Sequence, residues 1–368
     1  MTVAVDWAAR AVAQSARLHP YVPGKPVEQL LRELGVADGC KLASNENPFG
    51  PPPAAVAAIQ RAAEGVHRYP DGDATELKQA LAARHGVDPA QILLGNGSNE
   101  VIELIIRTFA GPGDGVLYSA HGFIVYALAA RAAGAAGRAV AEPDGLHHDL
   151  DATASAVDAR SKVVCIANPN NPTGTMHELD ALQRFLDRLP PDLVVLLDEA
   201  YVDFVTDDPN ATLRRLRHPG LVVCRTFSKA FGLAGLRIGY AIADAGLLEV
   251  VNRFREPFNV NALAQQAALA ALEESAWVRR QVAAVVAERR RLERELAAMG
   301  LLQGRTHGNF VLIHHRQAAR LVADLERRGL ILRPLSPYGM AQSVRVTVGR
   351  PEENDRLLGA LRDWLERA

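Results

Sequence analysis

The sequence predicts an α/β protein, a mostly parallel sheet sandwiched by helices with a smaller α+β domain behind it, and three observations carry that prediction. From about residue 54 onward, helical periods alternate with short apolar runs bounded by Gly, Asn or Pro, the pattern of strands buried on both faces. Most of these runs pass at once into polar, Gly-rich or Asn-rich sequence, which is where open α/β sheets bind their ligands. Beyond residue 260 the rhythm changes to helix, strand, helix, strand, strand, helix. A chain of 368 residues, 48% of them hydrophobic, exceeds one ordinary core and can fill two.

The Ala-rich opening carries Asp6, Arg10 and Arg17, which breaks any signal-peptide core, and no apolar run approaches the ~20 residues of a membrane span. Leu18 to Pro26 holds three prolines and favours an extended arm; a short helix is expected over Val27 to Leu34. Leu42 to Pro53 is rich in Asn and Pro, residues that set turns, and the larger domain is expected to begin there. Strands are expected at Gln91 to Leu94, Asp114 to Ser119, Lys162 to Ala167, Leu193 to Leu197, Leu221 to Arg225 and Arg237 to Ala243. A boundary near 256–262 precedes a long helix, Trp277 to Met299, closed by Gly300. The tail reads strand Phe310 to His314, helix Ala318 to Arg328, strands Leu330 to Arg333 and Val344 to Val348, and a last helix opening on Pro351. The expected organisation is an arm over 1–45 that contributes to the small domain, a large domain over 46–260 and a small one over 261–368.

A formal net charge of −1, with acids and bases interspersed, gives no electrostatic footprint for nucleic acid or an anionic membrane. Partners are therefore expected to be small molecules or another protein. The three cysteines lack metal-ligand spacing, and Cys165 and Cys224 sit in apolar runs where cysteine acts as a small hydrophobe. No metal is expected, and a reducing cytoplasm is the simplest setting.

The candidate chemistry centres on Arg225-Thr-Phe-Ser-Lys-Ala-Phe-Gly-Leu-Ala-Gly-Leu-Arg-Ile-Gly-Tyr240, which sets Lys229 between an apolar strand and a Gly-punctuated turn leading to Arg237. Alone, such a lysine could merely reach water or neutralise a carboxylate. Leu193 to Leu197 runs into Asp198 and Glu199, so at least one acid is desolvated unless a cation pairs with it. That acid is either a structural cap or ion pair, or the partner of a protonated ring nitrogen; Tyr201 either packs or offers its hydroxyl to the same ligand. Ala167-Asn-Pro-Asn-Asn-Pro-Thr-Gly174 reads equally as a tight turn or as a turn presenting the Asn171 amide to a phenolate oxygen. Gly95-Asn-Gly-Ser-Asn-Glu100 lies between a strand and a helix and offers backbone N–H groups to an anion. Glu100 stands where a dinucleotide fingerprint needs its third glycine, so a single phosphate, helped by Ser98, Ser228 and Arg237, fits better. A lysine able to condense with an aldehyde, an acid for a ring nitrogen, donors for a ring oxygen and a phosphate cradle together match pyridoxal 5'-phosphate.

Tyr-Val-Pro-Gly-Lys-Pro at 21–26, Ser-Asn-Glu-Asn-Pro-Phe-Gly at 44–50, Arg-Tyr-Pro at 68–70, Asn-Pro-Asn-Asn-Pro-Thr-Gly at 168–174, Asp-Glu-Ala-Tyr at 198–201, the lysine stretch and Val344-Arg-Val-Thr-Val-Gly349 extend this match over nearly the whole chain. The sequence resembles fold-type I pyridoxal-phosphate aminotransferases, and closely the histidinol-phosphate aminotransferase family. The resemblance implies a seven-stranded large-domain sheet and gives the residues roles. Lys229 would carry the cofactor and then shuttle the proton between the substrate Cα and the cofactor, and Asp198 would pair with the pyridine nitrogen. Tyr201 and Asn171 would meet the ring hydroxyl, Phe123 would stack on the ring where many relatives have tyrosine, and Ser228, Arg237, Gly97 and Ser98 would hold the phosphate. Tyr69 would reach the phosphate of the neighbouring subunit's cofactor, which implies a homodimer with shared sites.

Arg345 alternates with Val344, Val346 and Val348, and from the residues alone it is either a surface ion pair or an anion hook. The resemblance makes it the partner of the substrate α-carboxylate or the group replacing it. It also brings Arg333 to the phosphate of histidinol phosphate and, in the other half-reaction, to the distal carboxylate of glutamate. Tyr21 and Asn47 would line the same pocket, although each reads equally as a packing or turn residue. The implied reaction is a ping-pong exchange of an amino group between histidinol phosphate with 2-oxoglutarate and imidazole-acetol phosphate with glutamate. Three other readings stand beside it: an aromatic aminotransferase sharing every cofactor residue, a decarboxylase of phosphorylated threonine, and a cofactor-binding regulator without catalysis. No DNA-binding helix pair or basic face supports the last.

Overall fold

The computed structural model describes residues 6–18, 32–33 and 39–367. The expected arm beyond residue 18, with Tyr21, and the expected Val27–Leu34 helix apart from 32–33 lie outside the described residues. The larger sheet has seven strands: β2 (Ile92–Gly95), β3 (Gly115–Ser119), β4 (Ala136–Val140), β5 (Ser161–Ala167), β6 (Val194–Asp198), β7 (Leu221–Thr226) and β8 (Gly239–Ile242). Their order is β2-β8-β7-β6-β5-β3-β4, with β8 antiparallel to both of its neighbours and β3 to β7 mutually parallel. The mostly parallel sheet expected from the alternating pattern is present, with the seven strands that the resemblance implies. β4 escapes a reading by apolar runs because Ala136-Gly-Arg-Ala-Val140 is an edge strand, largely exposed, with no β-branched residue before its last position.

Strand alternation assigns each central side chain to a face. Val163 and Cys165 of β5, Val194 and Leu196 of β6 and Val222 and Cys224 of β7 pack with the Ser98–Phe109 and Ile124–Ala132 helices on one side. Val164, Ile166, Val195 and Leu197 pack with the Leu179–Leu186 helix on the other. All eight strand positions named for β5 and β6 are at most 4% exposed, and each such buried Val, Leu or Ile contributes roughly 1.5–3 kcal/mol. The same alternation puts Asp198, the last residue of β6, on the first side.

The smaller sheet joins β11 (Arg333–Pro334), β12 (Ser343–Thr347) and β9 (Phe310–His314), all antiparallel. A two-stranded parallel pair of β1 (Cys40–Lys41) and β10 (Leu330–Ile331) ties the N-terminal region to it. Two strand expectations change here. Leu330 to Arg333 is split into two strands that serve different sheets, so that Arg333 opens β11 rather than closing one run. Arg237 is not in a strand: it takes a left-handed conformation with φ 56°, and β8 starts two residues later. The Ala262–Glu273 helix packs along the Pro53–Ala62 and Thr75–His85 helices of the larger unit. A division at 260/261 therefore separates a helix from its packing partners, and the chain leaves the larger unit along the Ser275–Ala298 helix, which packs against β9 and the Pro351–Arg367 helix.

Candidate active site

The carboxyl ends of β5, β6 and β7 and the amino end of the Ser98–Phe109 helix open into a cavity of about 390 Å³. The smaller sheet covers it with Arg333 and Arg345, and the turn between β11 and β12 adds Tyr338. Lys229, Asp198, Tyr201, Asn171, Phe123, Ser98, Ser228 and Arg237 all line this one space, although they come from distant points in the sequence.

Asp198 and Glu199 separate onto opposite sides of the sheet, and their partners differ accordingly. Glu199 takes the cation: its Oε2 accepts from Arg225 Nη2 at 2.7 Å and Nε at 3.0 Å, a buried fork that removing either partner would leave uncompensated. Thr212 Oγ1 donates to its other oxygen. Asp198, 5% exposed, makes no ion pair among the described residues, although the Lys229 charge acts on it. Its Oδ2 accepts from Tyr126 Oη at 2.9 Å and its Oδ1 from the Ala200 N–H at 3.1 Å. Burial pushes its carboxyl up to about 6, opposed by these two hydrogen bonds. The structural reading of the acid pair thus falls on Glu199, and the acid facing the cavity is Asp198.

Lys229 Nζ donates to the Ser44 carbonyl at 3.1 Å and lies 5.8 Å from the centre of the Tyr201 ring. Burial first, then the Arg345 charge, bring its amine down to about 7, so the neutral nucleophilic form is populated near neutral pH. The sign of this shift gives a stability prediction for the cofactor-free protein. The folded state resists protonation that the unfolded chain accepts, so the lysine's cost is fully present below about pH 7. It fades as pH rises towards the ordinary lysine value of 10.5. Cofactor-free Lys229→Met is therefore expected to melt above cofactor-free wild type at neutral pH, with the gap closing in alkali. A gap in Tm that is constant across that range would refute the burial account.

Tyr201 Oη accepts from Asn45 Nδ2 at 2.9 Å, and burial pushes its hydroxyl up to about 12, so it acts as a neutral donor. Asn171 Oδ1 accepts from Arg345 Nη1, which leaves the Asn171 amide N–H groups for another acceptor. Arg345 Nη2 donates to the Ala43 carbonyl at 2.8 Å.

At the anion end, Gly97 has φ 84°, and a Cβ there would lie 2.5 Å from Arg237 Nη2. Gly239 of β8 allows the same closeness from below, since a Cβ on it would lie 2.4 Å from the Ser98 nitrogen. Two residues that must be glycine thus let a strand, a helix amino end and a guanidinium converge, which is the geometry of an anion cradle. Glu100 is turned out of it: Oε2 accepts from the Asn96 N–H at 2.5 Å and from Asn259 Nδ2 at 2.6 Å.

Asn47, expected in the pocket, is a turn residue. Its amide donates to the Ala230 carbonyl at 2.9 Å and its Oδ1 accepts from the Phe49 N–H at 3.0 Å; the asparagine of that motif that lines the cavity, beside Ser44 and Glu46, is Asn45, whose left-handed φ of 54° aims it at Tyr201. Asn47 is the one asparagine of the Asn-Glu-Asn run expected in the pocket, and the backbone conformation selects Asn45 instead. Tyr69 is 82% exposed and away from this cavity, stacked on Phe258 at 4.7 Å. Sequence reasoning also missed Tyr126, whose one signal was a tyrosine in the apolar first half of a helix, three residues after Phe123. Among the described residues no group of His, Cys, Asp and Glu could hold a metal ion, and no helix is long and apolar enough to cross a membrane.

These residues fit pyridoxal 5'-phosphate. A desolvated carboxylate that no guanidinium pairs with among the described residues suits a protonated ring nitrogen, the Gly97 and Gly239 cradle suits a phosphate, and the Phe123 ring supplies an apolar wall. The family model for class I and II aminotransferases matches residues 37–361. The chain is 46% identical over 361 residues to histidinol-phosphate aminotransferase 2 of Pseudomonas aeruginosa, covering 97% of this chain and 98% of that one. It is 47% identical over 352 residues to the histidinol-phosphate aminotransferase of an Anaeromyxobacter species, covering 94% and 96%. The crystal structure of histidinol-phosphate aminotransferase from Sinorhizobium meliloti in complex with pyridoxal-5'-phosphate superposes with a TM-score of 0.88 at 28% identity, covering 99% of each chain.

Proposed function

The chain belongs to the class I and II aminotransferase family, and on that premise we propose that it moves an amino group between histidinol phosphate and 2-oxoglutarate, in histidine biosynthesis. One observation carries the choice of substrate. Arg333 and Arg345 are directly opposite one another in the β11–β12 register, and both line the cavity that holds Lys229. Like charges directly opposite in an antiparallel pair destabilise it, so the arrangement is suited to anionic substrates bound against that wall. A phosphorylated amino alcohol and a dicarboxylate both meet this demand, and an uncharged aromatic side chain does not.

Pyridoxal 5'-phosphate, when bound, supplies the electron sink that makes the substrate Cα proton removable. The protein does the rest. Asp198 holds a proton on the ring nitrogen, Tyr201 and Asn171 donate to the ring oxygen, and Ser98, Ser228 and Arg237 anchor the phosphate. The Lys229 amine, with its neutral form populated near pH 7 and set at the cavity wall, would take the proton from the substrate Cα and deliver it to the cofactor C4'. Arg333 orients the substrate phosphate in one half-reaction and the distal carboxylate of glutamate in the other. Arg345, held in place by the Ala43 carbonyl and Asn171, takes the α-carboxylate or the group replacing it. Docking of the smaller domain excludes water from the cavity, which suppresses hydrolysis.

The enzyme is proposed to work as a homodimer in the cytoplasm. Tyr69, half of an exposed stacked pair with Phe258, is suited to reach the phosphate of the neighbouring subunit's cofactor. The deciding experiment is kcat/KM for histidinol phosphate, phenylalanine and tyrosine with 2-oxoglutarate as acceptor. Histidinol phosphate is expected to lead by at least two orders of magnitude, roughly the worth of one charge-assisted fork; parity with the aromatic amino acids would replace this reading with that of an aromatic aminotransferase.

A further inference from the structure

Tyr126 is the one side chain that donates to the carboxylate oxygen Asp198 Oδ2, at 2.9 Å, among the hydrogen bonds described. It does so from a fully buried position, 1% exposed, on a helix that otherwise presents aliphatic residues to that core. Burying a tyrosine hydroxyl costs stability unless it is bonded, and here its partner is the acid at the cavity. The same ring meets Phe123 edge-on, with centroids 5.9 Å apart and planes at 87°, and Phe123 lines the cavity.

We infer that Tyr126 is a positioning residue for the cofactor: through its hydrogen bond it aims the Asp198 carboxylate and keeps it ionised, so that it can hold a protonated ring nitrogen. The inference rests on pyridoxal phosphate occupying this cavity, but not on which amine the enzyme uses. The titratable groups facing Asp198 are Tyr126, Lys229, Glu199, Tyr201, Cys165 and Cys224. Glu199 is neutralised by Arg225 on the opposite side of the sheet. Both cysteines are buried thiols held well above their usual value, and neither they nor Tyr201 ionise in the working range. Of these groups the one cation is Lys229, which is consumed in carrying the cofactor, and the neutral Tyr126 hydroxyl is left as the side-chain donor that acts on the acid directly.

The test is cofactor binding rather than turnover. In Tyr126→Phe, which keeps the ring and its contact with Phe123, the dissociation constant for pyridoxal 5'-phosphate is expected to rise roughly ten- to a hundredfold, the worth of one hydrogen bond to a charged group. The acid midpoint below which the holoenzyme releases cofactor is expected to move to higher pH, because a carboxylate that has lost its donor protonates sooner. Site-specific 3-fluorotyrosine at position 126, a stronger donor of nearly the same shape, is expected to move that midpoint the other way. A role confined to packing would lower Tm in Tyr126→Phe and leave the midpoint in place in both variants, and that result would overturn the inference. Because both readouts are taken without an amino donor, they stand whether or not histidinol phosphate proves to be the substrate.

Discussion

Lys229→Ala is expected to abolish transamination while leaving a folded protein that still binds cofactor through its phosphate and ring contacts. The expectation follows from where the amine sits. Lys229 is half-buried at the cavity wall with its amine brought down to about 7, which suits it both as the nucleophile that carries the cofactor and as the base that moves the proton. A positioned general base alone contributes roughly 10²–10⁴-fold, and losing the covalent attachment compounds this. Two measurements check it together: turnover with glutamate, and the visible absorbance that marks cofactor joined to a lysine. Both are expected to vanish. Small primary amines added to the solution are expected to restore a little activity, since alanine leaves room where the side chain was. A variant with near wild-type turnover would remove Lys229 from the chemistry and with it the functional assignment.

What the sequence made legible, and what it did not, divides along a physical line. Strands buried on both faces, such as Ser161–Ala167 and Val194–Asp198, are written as continuous apolar runs because nothing else can occupy them. The candidate catalytic groups were legible where they end or follow such runs: Asp198 closes β6, and Lys229 follows β7 by three residues. The edge strand Ala136–Val140 was not, because exposure relaxes its composition. Residues that act through backbone conformation were the hardest to read. Arg237 looks like the start of a strand, and only its left-handed φ brings its guanidinium against Gly97. Asn45 and Asn47 are indistinguishable by type, and the chain's path decides that one meets Tyr201 while the other closes a turn. Tyr126 carries no motif at all. Its role exists only in the contact between a helix and the end of a strand 72 residues away, a relation that composition and periodicity do not encode.

Arg333→Ala is expected to separate the two substrate classes. Arg333 opens β11 opposite Arg345, and the pair differs in burial: Arg345 is 6% exposed and held by the Ala43 carbonyl and Asn171, while Arg333 is partly open towards the cavity mouth. The deeper arginine is thus placed for the group near the reacting carbon and the outer one for the far end of the substrate. Truncating the outer one removes a charge-assisted fork to phosphate, and losses of about 2–5 kcal/mol are usual for such groups. The value of kcat/KM for histidinol phosphate is therefore expected to fall by roughly two to three orders of magnitude, with phenylalanine nearly unaffected because it offers nothing to lose. Arg333→Lys keeps the charge but not the planar fork, so its loss should fall between wild type and alanine for histidinol phosphate. Equal losses on both substrates would mean that Arg333 supports the architecture of the smaller sheet rather than reading a phosphate. The phosphate would then have to be met by another group of the cavity.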